Sequence, residues 1–193
     1  MILDLHALEE LHESVAAHIS DGLVKLVAGP RTDIFCPPDG SPPTLNAPAL
    51  LANLHTEDFV LTAHVEAELQ SLFDAGALLV WQGDRSWAKF AIERSPEGQA
   101  TVVTVVTRGL SDDCSSVALV EPSAHLRIAR MDDAFAFHLQ VAGRWQLIRH
   151  FVLNAGNVYV GFEAQSPTGE GCTARFQQIR AEQRRLNDVR DGT

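Results

Sequence analysis

Short runs of alternating apolar and polar residues, separated by turn-forming residues, fill the chain from about Gly22 onward. In the clearest run, residues 59–69, apolar side chains take every second position, and His64, Glu66 and Glu68 lie between them. This period of two is typical of a strand with one buried face. The turn-forming segments that separate the runs include residues 83–84, 95–98 and 154–157.

The runs predict a chain made almost entirely of strands. The predicted strands cover residues 23–28, 59–69, 76–81, 87–93, 101–107, 125–130, 135–141, 145–153 and 158–165. They follow one another at roughly 10–15 residues, and a parallel sheet would need a crossover helix of about a dozen residues between strands. The pattern therefore predicts an all-β sandwich or barrel of antiparallel sheets. The length of 193 residues predicts a single domain over residues 1–193.

Three segments fit the strand pattern less well. Residues 3–19 carry leucine, valine and isoleucine at spacings of three and four, which is compatible with an amphipathic helix or with extended structure. Residues 33–48 are rich in proline and predict an ordered loop along a sheet edge. Residues 177–186 are compatible with a short helix or with an extension of the last strand.

Charge and cysteine content narrow the classes of partner. The net charge of −10 disfavours nucleic acid, because an acidic chain repels phosphates. No apolar run approaches the roughly 20 residues that span a bilayer, so we expect no membrane partner. Acidic residues near the N-terminus do not fit a signal peptide. The widely spaced Cys36, Cys114 and Cys172 predict no disulfide framework, and we expect a cytoplasmic protein.

Sequence motifs for common cofactors and catalytic centres are missing. The chain contains no GxGxxG, GxxxxGK[ST], HExxH or GxSxG pattern. His6, His12 and His18 are spaced six apart, which would separate them around a helix. Ser111 and the two aspartates after it favour a turn over a calcium loop. We therefore expect no cofactor and no metal.

Strand parity predicts a row of aromatic and charged side chains on the face of the sheet that points away from the core. If Phe90 faces the core, then Trp87, Lys89 and Glu93 share the opposite face. The same argument turns Glu163 outward, together with Tyr159 and Gln165. Arg149 shares parity with apolar neighbours, and we assign it outward. An aromatic ring beside fixed charged groups suits a saccharide, although cross-strand ion pairs of roughly 0.2–1 kcal/mol also explain such a face.

Several segments resemble one family in order and spacing. They are Thr32-Asp33-Ile34-Phe35, Asp58-Phe59, the run from Asp74 to Val80, the run from Trp87 to Glu93, Val102-Val103-Thr104, Ser111-Asp112, Leu126-Arg127-Ile128, Gly143-Arg144-Trp145, Arg149 and Val160-Gly161-Phe162 with Ser166-Pro167. The chain resembles a family of concanavalin-A-like domains of undefined biochemistry that includes the yeast "regulation of enolase" protein. Cys114 stands where the family usually has Trp, and Ala91 where it often has Gly.

The resemblance implies a two-sheet antiparallel jelly-roll sandwich of the concanavalin A-like lectin and glucanase type, with ligands on a concave sheet face. The residues that it would bring to such a groove are Trp87, Lys89, Glu93, Thr104, Arg149, Glu163 and Ser166. We expect a non-catalytic binding module for a carbohydrate or small sugar acid. Two alternatives stay open, namely a protein-interaction or metabolic regulatory role with a protein partner, and a carbohydrate-active hydrolase or lyase.

Overall fold

The structure is a computed structural model that describes residues 3–153 and 156–193, so the first half of the turn predicted at 154–157 lies outside the described residues. In the described part, the one helical element is the short 3-10 turn Leu5–Ala7. No helix there is long or apolar enough to cross a membrane. The first eight strands are β1 (Glu9–Glu10), β2 (Ala16–Ser20), β3 (Leu23–Ala28), β4 (Ile34–Phe35), β5 (Thr44–Leu45), β6 (Ala49–Asn53), β7 (Asp58–Ala67) and β8 (Ala75–Gly83). The others are β9 (Ser86–Arg94), β10 (Ala100–Arg108), β11 (Leu110–Ala118), β12 (Ser123–Met131), β13 (Ala134–Val141), β14 (Arg144–Val152), β15 (Tyr159–Gln165) and β16 (Cys172–Glu182).

Two large antiparallel sheets contain nearly all of these strands. The front sheet has the strand order β1-β6-β15-β8-β9-β10-β11, and the back sheet has the order β14-β13-β12-β7-β16-β3-β2. The short strands β4 and β5 form a separate hairpin. Neighbours in the sheets are often distant in sequence, as a jelly roll requires. The predicted all-β two-sheet sandwich is confirmed.

The main core lies between the two sheets and uses the alternation seen in the sequence. In β7, for example, Phe59, Leu61 and Val65 are fully or almost fully buried in this core. Phe90 of the front sheet stacks on Phe137 of the back sheet, with ring centroids 4.9 Å apart. Apolar burial of this kind stabilises a fold by roughly 25 cal/mol per Å², so the inward faces hold the sandwich together.

A second apolar cluster covers the outer face of the front sheet. Residues 33–48, predicted as a loop along a sheet edge, instead cross this face and contain the β4–β5 hairpin. Ile34 and Cys36 of this segment are fully buried against Leu79, Trp81 and other residues of the sheet. The proline content had suggested a sheet edge, but burial of alternate side chains brings the segment onto the sheet.

The other uncertain segments are extended. Residues 3–19 contain β1 and part of β2 rather than a helix, and residues 177–186 begin as a continuation of β16. Strand β11 was not predicted, since Ser111-Asp112 was read as a turn. Its side chains are mostly exposed because it is the edge strand of the front sheet. An exposed polar edge lacks the apolar alternation on which the strand predictions depended.

Gly161 permits close approach of strands β15 and β6, and this gives a test of the fold. A Cβ atom built on Gly161 would lie 1.9 Å from the backbone oxygen of Leu50. We expect Gly161→Ala to lower the free energy of unfolding by about 3 kcal/mol, because backbone must move to relieve the overlap. In Gly29→Ala, the new Cβ would meet only a side-chain methyl of Val15, at 3.2 Å. Urea denaturation of both variants should show the larger loss for Gly161→Ala, and equal losses would contradict the register of these strands.

Candidate functional site

A pocket of about 340 Å³ opens on the outer face of the front sheet, beside the segment that crosses it. Its wall and floor combine charged, amide and apolar side chains, including two phenylalanines. The lining residues are Asp33, Phe35, Phe73, Lys89, Glu93, Val103, Val105, Asp113, Gln165 and Pro167. Strands β9 and β10 supply the floor, while β4 and the loop before β8 supply Phe35 and Phe73.

The Lys89 ammonium group holds the pocket together. Its side chain is 2% exposed, and Nζ donates to Asp33 Oδ1 at 2.9 Å and to Gln165 Oε1. Burial alone would lower the pKa of Lys89, but the nearby carboxyl groups of Asp33, Glu163 and Glu93 outweigh it and raise that pKa. Lys89 is therefore charged and links strands β9 and β15 to the crossing segment.

Alternation in Thr32-Asp33-Ile34-Phe35 explains how the crossing segment reaches its place. Thr32 forms a backbone bridge with Ser166 at the end of β15, and Asp33 pairs with Lys89. Ile34 is fully buried against the front sheet, which leaves Phe35 half-buried at the pocket. The Asn46 side chain accepts a hydrogen bond from the Asp33 backbone N–H at 3.0 Å. Each residue of this motif thus has a distinct structural role.

Phe73 reaches the pocket from a tightly held loop between β7 and β8. Its φ of 65° is unusual for a bulky residue. Its backbone N–H donates to Arg94 O, and its carbonyl accepts from Gln165 Nε2, both at 2.9 Å. The neighbouring Asp74 is fully buried, and its Oδ1 accepts a hydrogen bond from the Ser166 hydroxyl group at 2.7 Å. Ser166 therefore positions the Phe73 loop from below and does not line the pocket.

Two glutamates near Lys89 have strongly raised pKa values. Burial raises the pKa of Glu93 to about 7 and the pKa of Glu163 to about 7, and in both cases Lys89 opposes that rise. Glu93 lines the pocket, whereas Glu163 is fully buried and both of its carboxyl oxygens lack a hydrogen-bond partner among the described residues. Ala77, which pairs with Glu163, is part of a small buried alanine cluster on the sheet. Glu163 thus holds an unsatisfied acid group under the pocket.

The seven residues proposed from the sequence divide into four groups, of which the last, Arg149 and Thr104, is described below. Lys89 and Glu93 line the pocket, and Glu163 and Ser166 lie behind it. Trp87 is fully buried, in the cluster formed with Ile34 and Cys36 of the crossing segment. Trp87 does lie on the outer face of the sheet, as parity predicted. The crossing segment covers that face, so Trp87 cannot stack on a ligand in this structure.

Arg149 and Thr104 do not line the pocket, and the outward assignment of Arg149 is wrong. Arg149 Nη1 donates to Thr104 Oγ1 of the facing sheet at 3.1 Å, and Arg149 also pairs with Asp112 at 3.1 Å. Arg149 lies on the same face of β14 as Phe151, which packs in the main core, so alternation from Phe151 already indicated an inward side chain. The register shift between Phe137 and His138 lies beyond Arg149 and brings Leu147 to the outer face instead, which made the parity of the strand ambiguous.

Eight lining residues were not among the proposed site residues, and the five of them with polar or aromatic side chains are Asp33, Phe35, Phe73, Asp113 and Gln165. Some sequence signals for them existed. Asp33 and Phe35 belong to a motif that carried the family resemblance, and the parity of β15 had turned Gln165 outward. Phe73 and Asp113 had no such signal, because one depends on loop conformation and the other on an unpredicted edge strand.

We looked for a metal site among clusters of side chains that could act as metal ligands. Over residues 3–153 and 156–193, no group of three or more histidine, cysteine, aspartate or glutamate residues could hold a metal ion. The carboxyl groups around the pocket are instead arranged about the Lys89 ammonium group. The polar side chains of the pocket are therefore available as hydrogen-bond donors and acceptors.

Comparison with models of protein families shows to which family the chain belongs. Residues 11–184 match the family described as Protein of unknown function (DUF1349). The chain belongs to this family. The matched residues include every strand of the front sheet except β1, and all the strands that line the pocket. No curated protein sequence matches the chain.

Solved structures place this DUF1349 protein among β-sandwich proteins. A functionally unknown protein from Saccharomyces cerevisiae is similar over 95% of this chain and 100% of its own, with a TM-score of 0.84 and 21% identity. A xylan beta-1,4-xylosidase from Bacillus halodurans is similar over 86% of this chain and 38% of its own, with a TM-score of 0.68 and 11% identity. An alginate lyase from Klebsiella pneumoniae is similar over 90% and 86%, with a TM-score of 0.56 and 13% identity. The chain thus spans well under half of the xylosidase, and these likenesses show the fold.

The raised pKa of Glu163 predicts a pH-dependent stability. Its pKa of about 7 in the folded protein lies above the ordinary value of 4.5, so the folded state retains a proton that the unfolded state releases. Stability therefore falls as pH rises from about 4.5 to 7, by about 3 kcal/mol for this group. Glu163→Gln cannot titrate, and we expect it to gain stability relative to the parent protein over that range in urea denaturation.

A matched control separates this effect from general acid titration. Glu97→Gln changes an exposed glutamate in a turn of the same sheet. Its stability should follow the parent protein at every pH. If the Glu163→Gln and parent curves also run parallel between pH 4.5 and 7, the buried carboxyl group does not titrate as described.

Proposed function

We propose that the front-sheet pocket binds a saccharide reversibly and without a chemical step. The observation that carries this proposal is the position of two partly exposed phenylalanines, Phe35 and Phe73, beside the fixed polar groups of Lys89, Glu93 and Gln165. Aromatic rings cover apolar surfaces well, and hydroxyl groups need donors and acceptors in fixed positions. The pocket offers both within one small volume.

The rigidity of the pocket supports binding. Gln165 is 2% exposed, and its amide group is fixed by Lys89 on one side and by the Phe73 carbonyl on the other. Asp33 is fixed by Lys89 and by the Asn46 side chain. A preorganised site loses less conformational entropy when a ligand binds. The volume of about 340 Å³ lies at the small end of the range of roughly 300–1,000 Å³ for ligand pockets, which suits a mono- or disaccharide.

The charge of the pocket favours a neutral sugar over a sugar acid. Asp33, Glu93 and Asp113 line it, and Lys89 is the one cation among the lining residues. The Lys89 ammonium group is already paired with Asp33 at 2.9 Å. A carboxylate ligand would meet uncompensated negative charge, whereas neutral hydroxyl groups can donate to these acids.

The acid groups also favour binding over hydrolysis. Glycosidases that use two carboxyl groups keep one protonated and the other ionised, which needs environments that separate their pKa values. Here the pKa of Glu93 and the pKa of Glu163 both rise to about 7, and for the same reason, burial. Among the solved structures of similar fold are a xylosidase and an alginate lyase by name, so sugar recognition on this fold is chemically reasonable.

Phe73→Ala gives the test of this proposal. The pocket should be titrated with neutral sugars such as xylose, glucose, galactose and their β-linked disaccharides, and with glucuronate as a sugar acid, by NMR or calorimetry. We expect one neutral sugar class to bind the parent protein, and Phe73→Ala to weaken that binding about tenfold, since an aromatic contact contributes roughly 0.5–1.5 kcal/mol.

The adjacent Leu72→Ala is the matched control. Leu72 is 40% exposed in the same loop and does not line the pocket. It should leave sugar affinity unchanged, and both variants should keep the parent melting temperature within a few degrees. If no sugar binds, or if both variants weaken binding equally, saccharide binding in this pocket is wrong. The protein-interaction role, which the sequence left open as an alternative, would then be tested next.

A further inference from the structure

A second polar pocket, of about 280 Å³, lies on the outer face of the back sheet, on the other side of the sandwich from the front-sheet pocket. Its lining side chains come from five adjacent strands and the segment after β16. They are Val60, Thr62, Arg127, Gln140, Trp145, Arg180, Glu182 and Arg184. We call it the arginine pocket, because three of these residues are arginines.

Arg127 is the buried base of the arginine pocket. Only 6% of it is exposed, and its guanidinium carbon lies 3.9 Å from the ring centroid of Trp145. Nη1 donates to the Gly192 carbonyl at 2.7 Å, but the buried Nε–H has no partner among the described residues. A buried guanidinium donor without an acceptor is costly, so this group has unused capacity for an anionic ligand.

Positive charge is concentrated here in an otherwise acidic protein. The whole chain carries −10, yet three arginines surround this pocket with Glu182 as the one acidic lining residue. Arg149, Arg175 and Arg185 form ion pairs elsewhere, whereas the arginines of this pocket form none within the described chain. Burial, with a further contribution from Arg184, lowers the pKa of Arg127 to about 10, and Glu182 opposes that shift.

The segment after β16 completes the pocket by folding back across the sheet. Leu186 and Val189 pack on the apolar cluster of the back sheet. The Val189 carbonyl lies 2.7 Å from His138 Nε2, and Gly192 approaches Arg127 and Trp145 so closely that a Cβ would meet Trp145 at 2.8 Å. The Arg127 guanidinium group is therefore held between this segment and the Trp145 ring, with its orientation fixed.

We infer that the arginine pocket binds the oxyanion of a small molecule, either a phosphate or a carboxylate group. Arginine side chains present paired N–H donors that match the oxygens of both groups. Arg127 would supply a buried donor, and Arg180 and Arg184 would approach from the exposed side. The site is separate from the front-sheet pocket, so it does not depend on the proposed sugar binding.

The experiment titrates the full chain with inorganic phosphate, glycerol phosphate, acetate and succinate at constant ionic strength, followed by NMR. We expect saturation with one anion class and a shift of the Arg127 Nε–H signal. Comparison of the phosphates with the carboxylates identifies the class. Arg184→Gln should weaken binding about tenfold, because it removes a charge-assisted hydrogen bond from an exposed position where folding is unaffected.

Arg190→Gln is the matched control, because Arg190 is an exposed arginine of the same segment that does not line the pocket. It should leave anion affinity unchanged. Equal weakening by both substitutions would mean that only overall charge attracts the anion, and this would overturn the proposal. So would the absence of saturation at about 10 mM of every anion, where a site with a Kd of about 1 mM would be nearly full.

Discussion

A buried ammonium group is the interaction on which the front of this protein depends. Removing a charge from water costs several kcal/mol unless hydrogen bonds and an opposite charge replace the solvent. Lys89 obtains this compensation from Asp33 and Gln165, which lie on a crossing segment and on a neighbouring strand. The three elements must therefore come together for any of them to be stable there, and the pocket is formed where they meet.

The same arrangement leaves some buried polar groups of the site without hydrogen bonds. Lys89 directs its hydrogen bonds to Asp33 and Gln165, and the carboxyl oxygens of Glu163 receive none. Burial also raises the pKa of Glu163 to about 7. A fully satisfied network would be a rigid structural element, whereas a network with one unsatisfied acid retains hydrogen-bonding capacity beneath a pocket. This unsatisfied acid, and not the ion pair by itself, supports the recognition that we propose for the front sheet.

Much of the fold could be predicted from the sequence, because burial of alternate residues is a local signal. The strands near 23–28, 59–69 and 87–93 follow it, and parity correctly placed Lys89, Glu93 and Gln165 on the outer face. The failures have physical causes that act at a distance. Trp87 is covered by a segment more than 40 residues away in the chain, and Arg149 is bound by Thr104 on a strand of the facing sheet.

The site shows the same division between local and distant causes. Lys89 and Glu93 could be proposed because they alternate on one strand. Phe73 could not, because its place depends on a left-handed backbone conformation in a loop held by hydrogen bonds of Asp74 and Ser166, and alternation gives no information on such contacts. Binding residues on loops commonly escape pattern analysis for this reason.

The polar edge of the front sheet has a consequence for how copies of this protein meet. Strand β11 is nine residues long and has no neighbour on one side, which is the geometry that invites sheets to join through their backbones. Asp112 and Asp113 lie on this strand and are exposed. Joining two copies through this edge would remove these carboxyl groups from water, and the cost of that desolvation opposes the joining. The residues that hid the strand from pattern analysis thus also disfavour edge-to-edge pairing through it.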